Sequence, residues 1–332
     1  MTTDERRCYS HFQYYTVPSL SEFFDSPLWQ ELLLQMSLSE PAVYHAVVAL
    51  SAIHQDLELY GMPLPGQDLQ NDYHRFALDQ CARSFGLLSR RNASQDPRFR
   101  EVILICCLLF TFIQLLRGQY DEAFQHLRSG MKIIDEGRTR VDKQPAETCL
   151  DVTFANLEIQ SLQYGVGRPL EVGNEPKLHT YSDDLGTFSN LAETRQKFDS
   201  LLREAYKFLL HAWGLSEAGV SSNYASLHEQ QIQLLSQLNQ FGHRFESFCL
   251  SKTFKRKERK GADMMRLVSR TLILPVKTAL IRDNAALEYY VPEYETQISW
   301  VEDIMKRYPE RPKVMPDIGI LPTLLATPRG SV

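Results

Sequence analysis

The run Val102–Leu116 (VILICCLLFTFIQLL) is the most apolar stretch of the chain and limits what the chain can fold into. A helix that crosses a bilayer needs about 20 apolar residues. This run is shorter and holds Thr111 and Gln114, so it reads as a core helix that other helices must cover. Gly118 stops it, and Tyr120, Ala123, Phe124, Leu127, Met131 and Ile134 mark a second helix that ends at Gly137. A short link between two helices makes them antiparallel neighbours, which predicts a helical hairpin at the centre of the fold. The stretch RGQYDEAFQHL echoes a tetratricopeptide helix, but no other copy follows at a period of about 34 residues.

Other helix signals repeat along the chain. Ser26-Pro27 and Ser39-Glu40-Pro41 each offer a cap followed by Pro at the first helical position. The second opens AVYHAVVALSAIHQDLELY, which ends at Gly61. Leu69, Tyr73, Phe76, Ala77, Cys81, Phe85 and Leu88 step by three and four residues, as one face of an amphipathic helix does. Further helices are expected from about Ala146 to Tyr164, from a capping box at Asn190-x-x-Glu193 to about Trp213, from Tyr224 to Phe248, and from Glu293 to Lys306. An apolar helix interrupted by Pro275 precedes the last of these. Strand-like alternation is scarce. The expected fold is all-α, a multi-helix bundle with antiparallel hairpins in one domain over 1–332, with a long loop at about 165–187, a basic segment at 252–260 and a frayed tail at about 323–332.

Composition narrows the function classes. With 36 Lys and Arg against 41 Asp and Glu, the formal net charge is -5, which disfavours the whole chain as a nucleic-acid binder. The N-terminus MTTDERRCYSHFQYY lacks the apolar core of a secretory signal, and no membrane association is expected. Cys8, Cys81, Cys106, Cys107, Cys149 and Cys249 form no C-x₂-C pair, so they read as buried free thiols rather than disulfides or structural zinc ligands.

The chain carries no phosphate-binding glycine loop, dinucleotide fingerprint, H-E-x-x-H or G-x-S-x-G pattern, so no catalytic residue and no cofactor are assigned. Asp183-Asp184 reads as a solvated turn. Glu122 and His126, at i and i+4, lack an identifiable third ligand, and His45 and His54 stand too far apart along one helix to share one. No metal site is expected from these. The sharpest local feature is Lys255, Arg256, Lys257, Arg259 and Lys260, five cations in six residues. They suit a nuclear-import adaptor or an acidic surface, and equally an ordinary solvated loop.

Several blocks, taken in order, resemble one family. They are Tyr9-Ser-His-Phe12, LSEFFDSPLWQELLLQMSLSEPAVYHAVVALSAIHQ, LICCLLFTFIQLLRGQYDEAFQHLRSGMKIIDE, LEYYVPEYETQISWVEDIM and Pro316-Asp-Ile-Gly-Ile-Leu-Pro322. This layout is similar to the regulatory domain of fungal zinc binuclear-cluster transcription factors. The six-cysteine cluster that reads DNA in that family has no counterpart in these residues, and the family's helices continue beyond the last block. The resemblance implies a non-enzymatic transcription-regulatory protein without its own DNA-binding module, placed in the nucleus (or the cytoplasm). It would act through protein contacts, with transcriptional machinery or a full-length relative, and through small-molecule sensing. The alternative is a shortened regulator co-opted in fungal secondary metabolism as a small-molecule-binding protein or as a pericyclase-like catalyst, which would need no motif.

Overall fold

Pro41 and Gly61 bracket the helix around which the first half of the chain is built. The computed structural model describes residues 2–64, 71–91, 96, 98–137, 145–163 and 188–309. Two compact units divide it, one formed mainly by Met1–Gly167 and the other by Arg168–Arg311. Helices make up both, and no strand occurs among the described residues.

The first unit opens with α1 (Thr3–His11), capped by Thr2: its hydroxyl accepts from the Glu5 amide at 3.2 Å, and the Glu5 carboxylate accepts from the Thr2 amide at 2.8 Å. The chain continues without a break through a π-turn (Phe12–Thr16) into α2 (Val17–Leu20). A second π-turn (Leu28–Leu32) leads into α3 (Leu33–Ser39). There Ser26 supplies its backbone carbonyl to the Trp29 and Gln30 amides, and no side-chain cap bond forms at the start. The main helix α4 (Pro41–Tyr60) begins on Pro41 and stops at Gly61, whose φ of 82° is a conformation that favours glycine. Then come α5 (Asp72–Arg90), α6 (Phe99–Leu116), α7 (Tyr120–Glu136) and α8 (Pro145–Gln163).

By length and composition α6 could cross a membrane, but two thirds of it is buried inside the protein. It packs against α4, α7 and α8, so the apolar run is the covered core helix that its sequence suggests. In α4, Val43, Ala46, Val47, Leu50 and Ile53 are almost fully excluded from water. Each of the Val, Leu and Ile side chains contributes roughly 2 kcal/mol of burial, and the Ala46 methyl less. The Trp29 ring meets Phe112 edge-on at 5.3 Å. At Gly130 on α7 a Cβ would lie 2.2 Å from the Phe154 ring of α8, so only glycine allows this approach.

The second unit comprises α9 (Leu191–Gly214), α10 (Glu217–Ser222), α11 (Tyr224–Ser251), α12 (Arg256–Thr271), α13 (Ile273–Thr278), α14 (Asn284–Glu288) and α15 (Val291–Arg307). Asn190 caps α9 by accepting from the Glu193 amide at 2.9 Å, and the Glu193 carboxylate accepts from the Ser189 hydroxyl instead of the Asn190 amide that a capping box would use. Phe198 of α9 stacks on Phe241 of α11 at 4.9 Å, and Phe245 follows Phe241 along the same helix. Pro275 falls inside the short α13, after a break at Leu272. Gln231 donates to the Val276 and Lys277 carbonyls at 2.8 and 3.0 Å, satisfying acceptors at the end of that helix. Asp263 joins α12 to the end of α15 through Arg307 at 2.9 Å and Tyr308 at 2.7 Å. The expected loop at about 165–187 and the tail at about 323–332 lie outside the described residues.

Candidate functional site

Lys255 precedes α12, and Arg256, Lys257, Arg259 and Lys260 lie in its first turns, so this part of the basic segment is helical rather than a loop. Lys255, Arg256 and Arg259 are exposed, whereas Lys257 and Lys260 are half-buried. Lys260 Nζ stands 5.8 Å from the centre of the Tyr308 ring. Cations at a helix start oppose the helix dipole. Glu258 offsets part of this by accepting from the Lys255 amide at 2.8 Å.

The histidines separate into distinct settings. His45 pairs through Nδ1 with Gln80 at 2.7 Å. His126 lies beside the rings of Phe85 and Phe110, and burial lowers its pKa against the raising influence of Glu122. Glu122 and His126 gain no third ligand: among the described residues, the group of three with metal-ligating geometry lies elsewhere. It consists of His11, His54 and Glu58, whose donor atoms fall within 4.8 Å of one another.

In that group His11 comes from the last turn of α1, and His54 and Glu58 from successive turns of α4. His11 Nε2 is 2.9 Å from one Glu58 oxygen, and His54 Nε2 is 3.9 Å from the other. The opposite ring nitrogens meet hydroxyls: His11 Nδ1 is 3.1 Å from Ser51 Oγ, and His54 Nδ1 is 2.9 Å from Thr16 Oγ1. The His11 ring also stacks on Tyr15 at 4.9 Å. In the sequence His54 and His45 stand too far apart on one helix to share a ligand, but Glu58 follows His54 at i+4, a spacing that is legible there. His11 arrives from another helix, and no local pattern signals it.

One turn of α4 also carries a second polar pair. Asp56 accepts from Asn71 and lies 2.8 Å from His74 Nε2, both partners buried. Burial lowers the His74 pKa, outweighing the opposing effect of Asp56. The cysteines are free thiols, and burial pushes Cys81 and Cys106 up to about 12 and Cys107 up to about 11, so these three remain protonated and unreactive at neutral pH. Asp183-Asp184 lies outside the described residues.

Residues 7–164 match the fungal specific transcription factor domain. This stretch falls within the first unit. Transcription regulator lscL of Purpureocillium lilacinum is 27% identical over 129 residues, which are 38% of this chain and 31% of that protein. The Aspercryptin biosynthesis cluster-specific transcription regulator atnN of Emericella nidulans is 27% identical over 227 residues, 60% of this chain and 36% of that protein. The matches thus span about a third of the length of these relatives. No solved structure matches the chain.

Proposed function

We propose, because residues 7–164 match the fungal specific transcription factor domain, that the chain regulates transcription through protein contacts rather than by reading DNA bases. The observation that carries this reading is the match itself, over a unit with its own continuous core. The net charge of -5 fits it, since a phosphate-binding surface calls for a net basic face. The first unit also leaves apolar side chains in water: Tyr14 and Tyr60 are each 73% exposed, and Leu59 is 62% exposed. Such side chains suit a protein partner, either transcriptional machinery or a related regulator. The Emericella nidulans relative, a biosynthesis cluster-specific regulator, supports a pathway-specific role, in which the chain governs a set of biosynthetic genes. A small molecule modulates it if that molecule prefers one helix arrangement over another.

Tethering tests the reading. Fused to an unrelated DNA-binding module at a reporter promoter, the chain is expected to change reporter output several-fold. Unchanged output from a well-expressed fusion would sink the proposal. In gel shifts the 332-residue chain is expected to show no sequence-selective complex, and a salt-resistant, site-specific one would contradict it. The basic segment is assigned to nuclear import. Replacing Lys255, Arg256, Lys257, Arg259 and Lys260 with Gln in a fluorescent fusion is then expected to abolish nuclear accumulation. Retained accumulation would remove that role.

A further inference from the structure

We propose that His11, His54 and Glu58 form a binding site for one zinc-class divalent ion that fastens α1 to α4. The site is independent of the regulatory reading. Both imidazoles turn Nε2 toward one carboxylate, at 2.9 and 3.9 Å. Zinc bonds of about 2.0–2.1 Å place tetrahedral ligands roughly 3.4 Å apart, between those two distances. Small side-chain movements therefore suffice to admit the ion. Two nitrogens and one carboxylate favour zinc, cobalt or nickel over magnesium or calcium, which take oxygen ligands.

The surroundings provide the orienting contacts that metal-ligating histidines use. Ser51 and Thr16 hydroxyls hold the two Nδ1 atoms at 3.1 and 2.9 Å, which fixes both rings. A hydroxyl both donates and accepts, so each can serve either tautomer of its histidine. In the metal-free state His11 Nε2–H donates to Glu58 at 2.9 Å, His54 Nε2 stands 3.9 Å from the other oxygen, and each Nδ1 accepts from its hydroxyl. When the ion takes both Nε2 lone pairs, the proton of each ring resides on Nδ1 and donates to the same hydroxyl. No imidazole proton is lost to solvent.

Local backbone geometry places these groups. The π-turn Phe12–Thr16 follows directly on His11 and returns Thr16 beside both histidines, its hydroxyl 3.5 Å from His11 Nδ1. Turns of this kind recur at functional sites. Access is graded as well: the His54 side chain is 2% exposed, His11 13% and Glu58 39%. The Glu58 side thus opens to solvent and leaves the fourth coordination position to water.

The test uses the full chain after chelation. Titration with Zn²⁺ by calorimetry is expected to give one saturable equivalent and a raised Tm, and Mg²⁺ to give neither. Co²⁺ serves as a spectroscopic probe, because its spectrum tells ligation by a free cysteine from ligation by histidine and carboxylate. Visible d–d bands without thiolate charge-transfer absorption are expected. His11→Gln and Glu58→Gln are each expected to weaken Zn²⁺ binding by at least about 100-fold, and Thr16→Val by about 10-fold. No saturable Zn²⁺ binding by the wild-type chain would overturn the site, as would thiolate bands with Co²⁺. So would unchanged affinity in variants that keep the wild-type circular dichroism. If a variant fails to fold, the Co²⁺ spectrum of the wild-type chain decides.

Discussion

In the first unit, polar side chains enter the core and link segments far apart in sequence: Glu5 to Arg83 at 3.0 Å, Asp56 to His74 at 2.8 Å, and the Ser84 hydroxyl to the Ala42 carbonyl at 2.7 Å. The second unit instead stacks phenylalanines along α11, with Phe241, Phe245 and Phe248 three and four residues apart and Phe198 closing over the first. Polar links surround that stripe: Gln231 holds the last carbonyls of α13, Asp263 holds the end of α15, Arg266 reaches Glu246 at 2.8 Å and the Thr278 hydroxyl meets that of Tyr294 at 3.0 Å. The first unit leans more on polar partners that must find each other, the second more on an apolar stripe. Unpaired buried polar groups are costly, so the first arrangement penalises wrong helix pairings more strongly.

The largest effects should be alike in both. Trp29→Ala in the first unit and Phe241→Ala in the second are each expected to cost about 4 kcal/mol in urea unfolding, through lost burial and a cavity. A much smaller loss for either would mean that its core collapses around the gap. Asp56→Ala probes the polar side of the contrast. It strands His74 and Asn71, and about 3 kcal/mol should be lost. A loss below that of an exposed substitution would remove the distinction between the units. Gly130→Ala forces a methyl group into the Phe154 ring and should cost about 2 kcal/mol, measurable in the same assay.

Acidity offers a gentler probe of the same difference. His74 has a folded pKa below its ordinary 6.5, chiefly because it is buried, so the unfolded chain takes up its proton first. Stability from this group is complete above 6.5 and declines as pH falls through that value. Burial works against the Glu5 carboxylate, yet the Thr2 amide and Gln80 hold its pKa below 4.5, adding a second loss at lower pH. Melting curves between neutral pH and 5 should show a slope that shrinks in His74→Gln. A slope unchanged by that substitution would rule out His74 as its source. At the small end, Lys277→Ala removes an ion pair whose partners are 41% and 48% exposed, and should move stability by less than about 0.5 kcal/mol.

How far the sequence could be read follows the same contrast. The bounds of α4, α6 and α7 are announced by Pro41, Gly61, Gly118 and Gly137, and the structure places those helices there. Such signals are local and act through the backbone. Neither π-turn is legible, because one extra residue in a helical turn has no residue signature of its own. The same holds for α1, whose sequence is mostly polar and whose Cys8 and Tyr9 are covered only by other helices. At the candidate site His54 and Glu58 share a readable spacing, whereas His11 joins them from 43 positions away, a proximity set by packing alone.

The final turns of α4 face two neighbours at once. His54 and Glu58 meet α1, while Asp56, between them in sequence, meets His74 of α5. Both grips sit on the same turns, so a backbone shift of these turns displaces the two together, whereas a rotation of the Glu58 side chain alone leaves the hold on α5 in place.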